Sequence, residues 1–173
     1  LEGLARLLEL LTNYFKVEIG KKLLDHLRQW ADPSVLQEAA GKPLIDVEPI
    51  KIIVAILNVF HLLPSAANIF LENLVHIVLD LEEQLRRSLS SPFRLPLIKF
   101  LNRYASETIE YFYERLGDSK YSRLFISILE TEEAIKLRQY IMENPNLLIE
   151  KASNSKDSDD FNEAKFQKIV IIR

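Results

Sequence analysis

Three histidines, His26, His61 and His76, are the side chains best suited to proton transfer or metal ligation near neutral pH. They fall in three separate predicted helices, so a shared site would need tertiary folding to bring them together. Only His76 has carboxylates at helical spacing, with Glu72 and Asp80 four residues to either side. A carboxylate–histidine pair on one helix face can hold a metal ion, but the same pattern is ordinary on a charged, solvated face, and that reading is preferred. Glu82-Glu83 and Asp159-Asp160 are adjacent carboxylates, yet neighbours at i,i+1 on a helix do not face each other. Solvated charge is the expectation for both pairs. Four isolated glycines cannot form a phosphate-cradling loop. Neither a nucleophile elbow nor an H-E-x-x-H motif occurs, and serine, histidine and aspartate are scattered. No residue is therefore assigned as catalytic, cofactor-binding or metal-ligating, and the reading is of a chain that is not an enzyme and needs no cofactor. Partner-binding residues cannot be assigned from spacing alone.

Composition narrows the class further. The 173 residues have 48% hydrophobic and 27% charged side chains, the balance of a folded domain. Gly and Pro are few, and Leu and Ile recur among Glu, Lys, Arg and Gln, which favours helices. Net charge is −3 with a pI near 5.7, whereas a nucleic-acid binder usually carries a basic patch or stripe. The nearest candidates, Arg86, Arg87, Arg94, Lys99 and Arg103, are interspersed with acidic residues and read as solvated helix faces. Direct nucleic-acid binding is not expected, nor is a small-molecule substrate. The absence of cysteine excludes disulfides and thiolate metal sites. With no Asn-x-Ser/Thr acceptor either, the composition suits cytosol or nucleus. The most apolar run, Ile50 to Leu63, is shorter than the ~20 residues a bilayer needs and is interrupted by Lys51, Asn58 and His61. No membrane partner is expected.

Those side chains must be carried by helices. Phe15, Ile19, Leu23, Leu24, Leu27 and Trp30 form one stripe over Asn13–Trp30, closed by Asp32-Pro33. A short element follows from Ser34 to Ala40, then a helix from Asp46-Val47-Glu48-Pro49 to Leu63. A long helix is predicted from Pro64-Ser65 to Ser88, with a stripe of Ala67, Phe70, Leu71, Leu74, Val78, Leu81 and Leu85. Ser91-Pro92 opens another, Ser106 is expected to cap the next, and Gly117 to stop it. Asp118-Ser119 caps a further helix ending at Leu129. Thr131 to Glu143 gives one more, and Asn144-Pro145 starts a short last one. The nine Phe and six Tyr fall mostly at helical spacing and read as core, with an aromatic groove for a partner peptide as the functional alternative.

Short connections make neighbouring helices antiparallel, and the starts near Asp46 and Ser91 are 45 residues apart. Helix pairs of ~40–47 residues are the mark of HEAT and armadillo arrays. The expected fold is all-α, with antiparallel helix pairs stacked as a HEAT-like α-solenoid segment over residues 1–150. Residues 151–162 are rich in Ser and Asp and read as a flexible linker or loop. Residues 163–173 resume an apolar pattern as the start of a following helix. The opening Leu1-Glu2-Gly3 and the apolar end Ile169-Val170-Ile171-Ile172-Arg173 lead us to expect a segment of something longer. Cut without capping repeats, such a segment is expected to be poorly soluble alone.

Two blocks carry a family resemblance. The run Leu11 to Leu27 with its Lys21-Lys22-Leu23-Leu24, ending in Trp30-Ala31-Asp32-Pro33, resembles the helical-repeat region of the TRRAP/Tra family. So does Ser91-Pro92-Phe93-Arg94-Leu95-Pro96-Leu97 continuing to Tyr104, followed by Glu110-Tyr111-Phe112. The resemblance extends in order over about Leu8 to Leu148. It implies a HEAT-repeat segment of a very large pseudokinase scaffold of the PI-3-kinase-related group, found in nuclear histone acetyltransferase coactivators of the SAGA and NuA types. The partners it implies are protein subunits of a large nuclear complex, with transcription activators docking on helical surfaces; the acidic balance here favours structural continuity or a neighbouring subunit over an acidic activator. The alternatives are the solenoid of an active PI-3-kinase-related kinase and a generic HEAT adaptor.

Overall fold

The computed structural model describes residues 2–37, 47–63, 65–86 and 91–154, and every regular element among them is helical. The chain divides into two compact units, residues 1–97 and 98–173. In the first unit α1 spans Glu2–Trp30, α2 Pro33–Leu36, α3 Glu48–Phe60 and α4 Leu71–Leu85. The helix α5, Arg94–Arg103, contains the division. The second unit continues with α6 (Ala105–Tyr113), α7 (Ser119–Leu129), α8 (Ile135–Glu143) and α9 (Pro145–Asn154).

In the first unit α1 packs on α3 and on a 3-10 turn at Ser65–Phe70. The core there includes Leu27, Ile50, Ile53, Leu57, Phe60, Leu74 and Val78, all nearly inaccessible. Each such side chain contributes roughly 1.5–3 kcal/mol through removal from water. Gly20 marks the closest approach: a Cβ there would lie 2.2 Å from Cε2 of Phe70. Phe70 is itself held edge-on against Phe60, with ring centroids 5.8 Å apart. The glycine inside α1 therefore lets the helix sit down on the 3-10 turn, at the expense of helix propensity.

In the second unit α6 packs on α7 and α8, and α8 on α9. Phe112 and Phe125 stack nearly parallel at 4.7 Å, and both are fully buried. At the α5–α6 junction, Thr108 is completely buried and its hydroxyl donates to the Leu101 carbonyl at 3.0 Å. Burial raises the Tyr113 phenol well above the usual tyrosine range, with Tyr140 adding to the effect.

Several expectations are revised. The helix predicted from 64/65 to 88 is a 3-10 turn followed by α4, which ends at Arg86 in the left-handed region (φ 51°) with its N–H donating to the Glu82 and Glu83 carbonyls. Thr131 to Glu143 is likewise a 3-10 turn, Glu132–Ala134, and then α8. Ser106 does not cap α6, which already begins at Ala105; its hydroxyl donates to the Glu107 carboxylate at 2.8 Å. The helix that carries Phe15 and Ile19 starts eleven residues before the predicted Asn13, at Glu2, and those two side chains are exposed rather than core. The element expected at Ser34–Ala40 is described only as far as Gln37. Most of the linker expected at 151–162, and the helix at 163–173, lie outside the described residues.

Candidate protein-contact site

The residues that looked capable of chemistry separate in space according to what their helices bury. His26 is exposed on α1, and His61 lies at the C-terminal end of α3. His76 is exposed on α4, its Nε2 3.9 Å from Oε1 of Glu72, a loose pair along one solvated face. Such pairs contribute little in water. Glu72, His76 and Asp80 border an open cleft of about 520 Å³ between the C-terminal end of α1 and α4. Arg28 reaches across it, with Nη2 donating to Oδ1 of Asn73 at 3.0 Å. Among the described residues no group of three or more His, Cys, Asp or Glu is placed to share a metal ion.

At the end of that cleft, Asp32 accepts from the Ser34 hydroxyl and, at 2.8 Å, from the Ser34 N–H. It is the N-cap of α2, with Pro33 following as the first helical residue. The Ser34 hydroxyl first and its N–H second hold the Asp32 carboxyl below its ordinary 3.8. The Trp-Ala-Asp-Pro block of the sequence is thus the break between α1 and α2, with its own cap.

The second block has a tertiary role that its residue types did not disclose. Glu82 was read as solvated charge, and Arg94 as part of a solvated basic face. Glu82 is instead buried, and Arg94 grips it with two charge-assisted bonds, Nε to Oε1 at 2.8 Å and Nη2 to Oε2 at 3.1 Å. Its neighbour Glu83 is exposed, as expected. The fork geometry matches a carboxylate as lysine would not. Phe93 and Leu97, on either side in the same block, are buried. Of the other basic candidates, Arg86, Lys99 and Arg103 are exposed, Arg103 lying 5.2 Å from the Tyr104 ring centroid; Arg87 lies outside the described residues, as does the Asp159-Asp160 pair.

Two further polar anchors have no signature in the sequence. Asn102 on α5 accepts from the N–H groups of Lys136 and Leu137 at 2.9 and 3.3 Å, capping the start of α8 from 34 and 35 residues away. Arg138 is buried and donates to the carbonyls of Leu129, Thr131 and Glu132, closing the end of α7 and the turn after it. No local signal marks either residue.

The longest run of exposed apolar side chains sits on α1. Leu4, Leu7, Leu8, Leu10, Leu11, Tyr14, Phe15 and Ile19 are all exposed, Phe15 to 60%. Leu4, Leu8, Leu11, Phe15 and Ile19 follow the three-and-four spacing of one helix face. A single exposed leucine needs no explanation, but a contiguous apolar strip is a candidate interaction surface. No described helix is long and apolar enough to cross a membrane.

Comparison with known proteins agrees with this architecture. The chain is 45% identical over 139 residues to the SAGA complex/NuA4 acetyltransferase complex subunit TRA1 of Saccharomyces cerevisiae, covering 80% of this chain and 4% of that protein. It is 43% identical over 140 residues to the subunit of the same name in Schizosaccharomyces pombe, covering 80% and 4%. It is 33% identical over 159 residues to the transformation/transcription domain-associated protein of Homo sapiens, covering 81% and 4%. The chain thus spans about one twenty-fifth of the length of these relatives. All of residues 1–173 match the model of the Tra1 HEAT repeat ring region, and the all-α, HEAT-like α-solenoid class read from the helix pairs is that of this family. With its two sequence blocks serving as a capped helix break and a buried ion-pair anchor, and its whole length matching the family model, the chain belongs to the Tra1 HEAT repeat ring family.

Proposed function

We propose that this chain is a non-catalytic scaffold segment of a nuclear transcription coactivator, contributing to the assembly of a SAGA- or NuA4-type histone acetyltransferase complex and to activator recruitment by it. The observation that carries the reading is the exposed apolar face of α1, with Leu4, Leu11, Phe15 and Ile19 at helical spacing. In a stacked-repeat protein each unit buries such a face on a neighbour, and assembly through shape needs no reactive group. The names of the relatives, subunits of acetyltransferase complexes, support the setting. The chain's net charge of −3 makes it a poor dock for an acidic activation segment. Its part in recruitment is therefore indirect: it keeps the repeats continuous or meets a neighbouring subunit.

The test is to tag the full-length protein that carries this chain, purify it gently from nuclear extract and identify its companions by mass spectrometry. Acetyltransferase subunits in stoichiometric amounts are expected, reduced several-fold by Leu8→Glu with Phe15→Glu. Kinase regulators or transport factors in their place would overturn the coactivator reading and leave the fold alone standing.

A further inference from the structure

We propose that the segment Glu163–Arg173 of this chain docks on the outward face of α8. That helix has two unlike sides. Leu137, Arg138 and Ile141 are buried, and α6 packs against the helix. Ile135, Gln139 and Met142, at positions i, i+4 and i+7, form a second stripe in which Ile135 and Met142 are more than half exposed. They line an open cleft of about 450 Å³. Glu132 and Glu133 stand exposed at one end of this stripe and Glu143 at the other. Lys136 is exposed, whereas Arg138 is committed to the carbonyls of Leu129, Thr131 and Glu132. The surface is therefore an apolar strip with an acidic border.

The segment Glu163–Arg173 is its complement in both respects. Phe166, Ile169 and Val170 are spaced as i, i+3 and i+4, the pattern of an apolar helix stripe. Lys165, Lys168 and Arg173 oppose the single acid Glu163, so the segment is basic where α8 is acidic. Asn154, the last residue of α9, is separated from Lys165 by ten residues. Ten residues extended reach up to ~33 Å, more than twice the ~14 Å length of a nine-residue helix. A tether of that length keeps the segment at an effective concentration on the order of millimolar.

The chain has no cysteine, so an introduced pair holds its only thiols. In the 173-residue chain carried as a soluble, cysteine-free fusion, Met142→Cys with Ile169→Cys is oxidised under mild conditions alongside Arg123→Cys with Ile169→Cys, which uses an exposed position on α7. All substituted positions on the helices are exposed, and far-UV circular dichroism checks that the helices are retained. The intramolecular disulfide through residue 142 is expected to form at least tenfold faster than that through residue 123. Adding Lys165→Glu and Lys168→Glu is expected to bring the ratio most of the way to one. Equal rates for the two pairs would overturn the proposal, as would a 142–169 bond formed only between chains, which would assign the face to a second copy.

Discussion

The N-terminal half of α1 and the α6–α8 cluster are made from the same kinds of residue and end in opposite states. Leu4, Leu8, Leu11 and Phe15 stand in solvent, Phe15 at 60% exposure, whereas Phe112, Phe125 and Leu137 are inaccessible. Apolar residues recur at helical spacing in both. What differs is whether another of the described elements covers the stripe. The polar residues divide in the same way: Glu72 and His76 form a loose exposed pair at 3.9 Å, whereas Glu82, ten residues along the same helix, is buried in a two-bond clasp with Arg94. Burial in this chain reports tertiary partnership, and the exposed stripe of α1 is the face proposed above as a protein contact.

The largest effect should come from trading one aromatic in each region for alanine. Phe125→Ala removes a fully buried, stacked ring and should cost about 3–5 kcal/mol in denaturant unfolding of the chain. Phe15→Ala should change stability by no more than about 0.5 kcal/mol. Comparable losses would mean that α1 is already covered and would dissolve the contrast.

Next in size is the clasp. Glu82→Ala strands the Arg94 guanidinium and should cost about 2–4 kcal/mol, while Glu82→Ala combined with Arg94→Met should recover a good part of it. Glu72→Ala should be within about 0.5 kcal/mol of the parent. Equal effects at residues 72 and 82 would show that burial is not what separates the two pairs.

Gly20→Ala weighs two opposed effects. Alanine gains ~1 kcal/mol of helix propensity, but its Cβ must displace a Phe70 ring already packed on Phe60, an overpacking of ~1–3 kcal/mol. Net destabilisation of about 1 kcal/mol is expected by thermal or denaturant melting. A stabilised variant would mean the 3-10 turn yields readily and that the edge of the first core is softer than described.

The smallest effect concerns Asp32. Its carboxyl is held below 3.8 in the folded chain by Ser34. The stabilisation is therefore present above the unfolded value and lost as pH falls through the lower folded one. Asp32→Asn should lower the melting temperature slightly at pH 7, and the two chains should converge below about pH 4, so that the variant shows the shallower acid decline. The reverse, a steeper acid decline in the variant, would argue against this cap.

Local chemistry was legible in the sequence. The Asp118 cap, whose carboxylate accepts from the Lys120 N–H at 2.9 Å, was readable because acceptor and donor lie two residues apart. The apolar face of α4 was legible for the same reason: Leu74, Val78 and Leu81 repeat within one helix and are buried. Glu82, Asn102 and Arg138 were not, since their partners lie 12, 34 and up to 9 residues away and become neighbours only on folding. Phe15 and Ile19 failed for a related reason. A stripe shows that a helix can be covered, and only tertiary packing shows that it is. The motif Pro92-Phe93-Arg94 carried the family resemblance before its physical role was apparent, and the ion pair to Glu82 now supplies that role.

The most direct test places a photo-crosslinking amino acid at Phe15 in the full-length protein, with the same probe at exposed Lys22 as reference, and sequences the linked peptides. If the bare face of α1 is a protein contact, the probe at residue 15 should link in high yield to one defined peptide, from an adjoining repeat or a named acetyltransferase-complex subunit. A yield no higher than that from residue 22, with no defined peptide, would contradict the account.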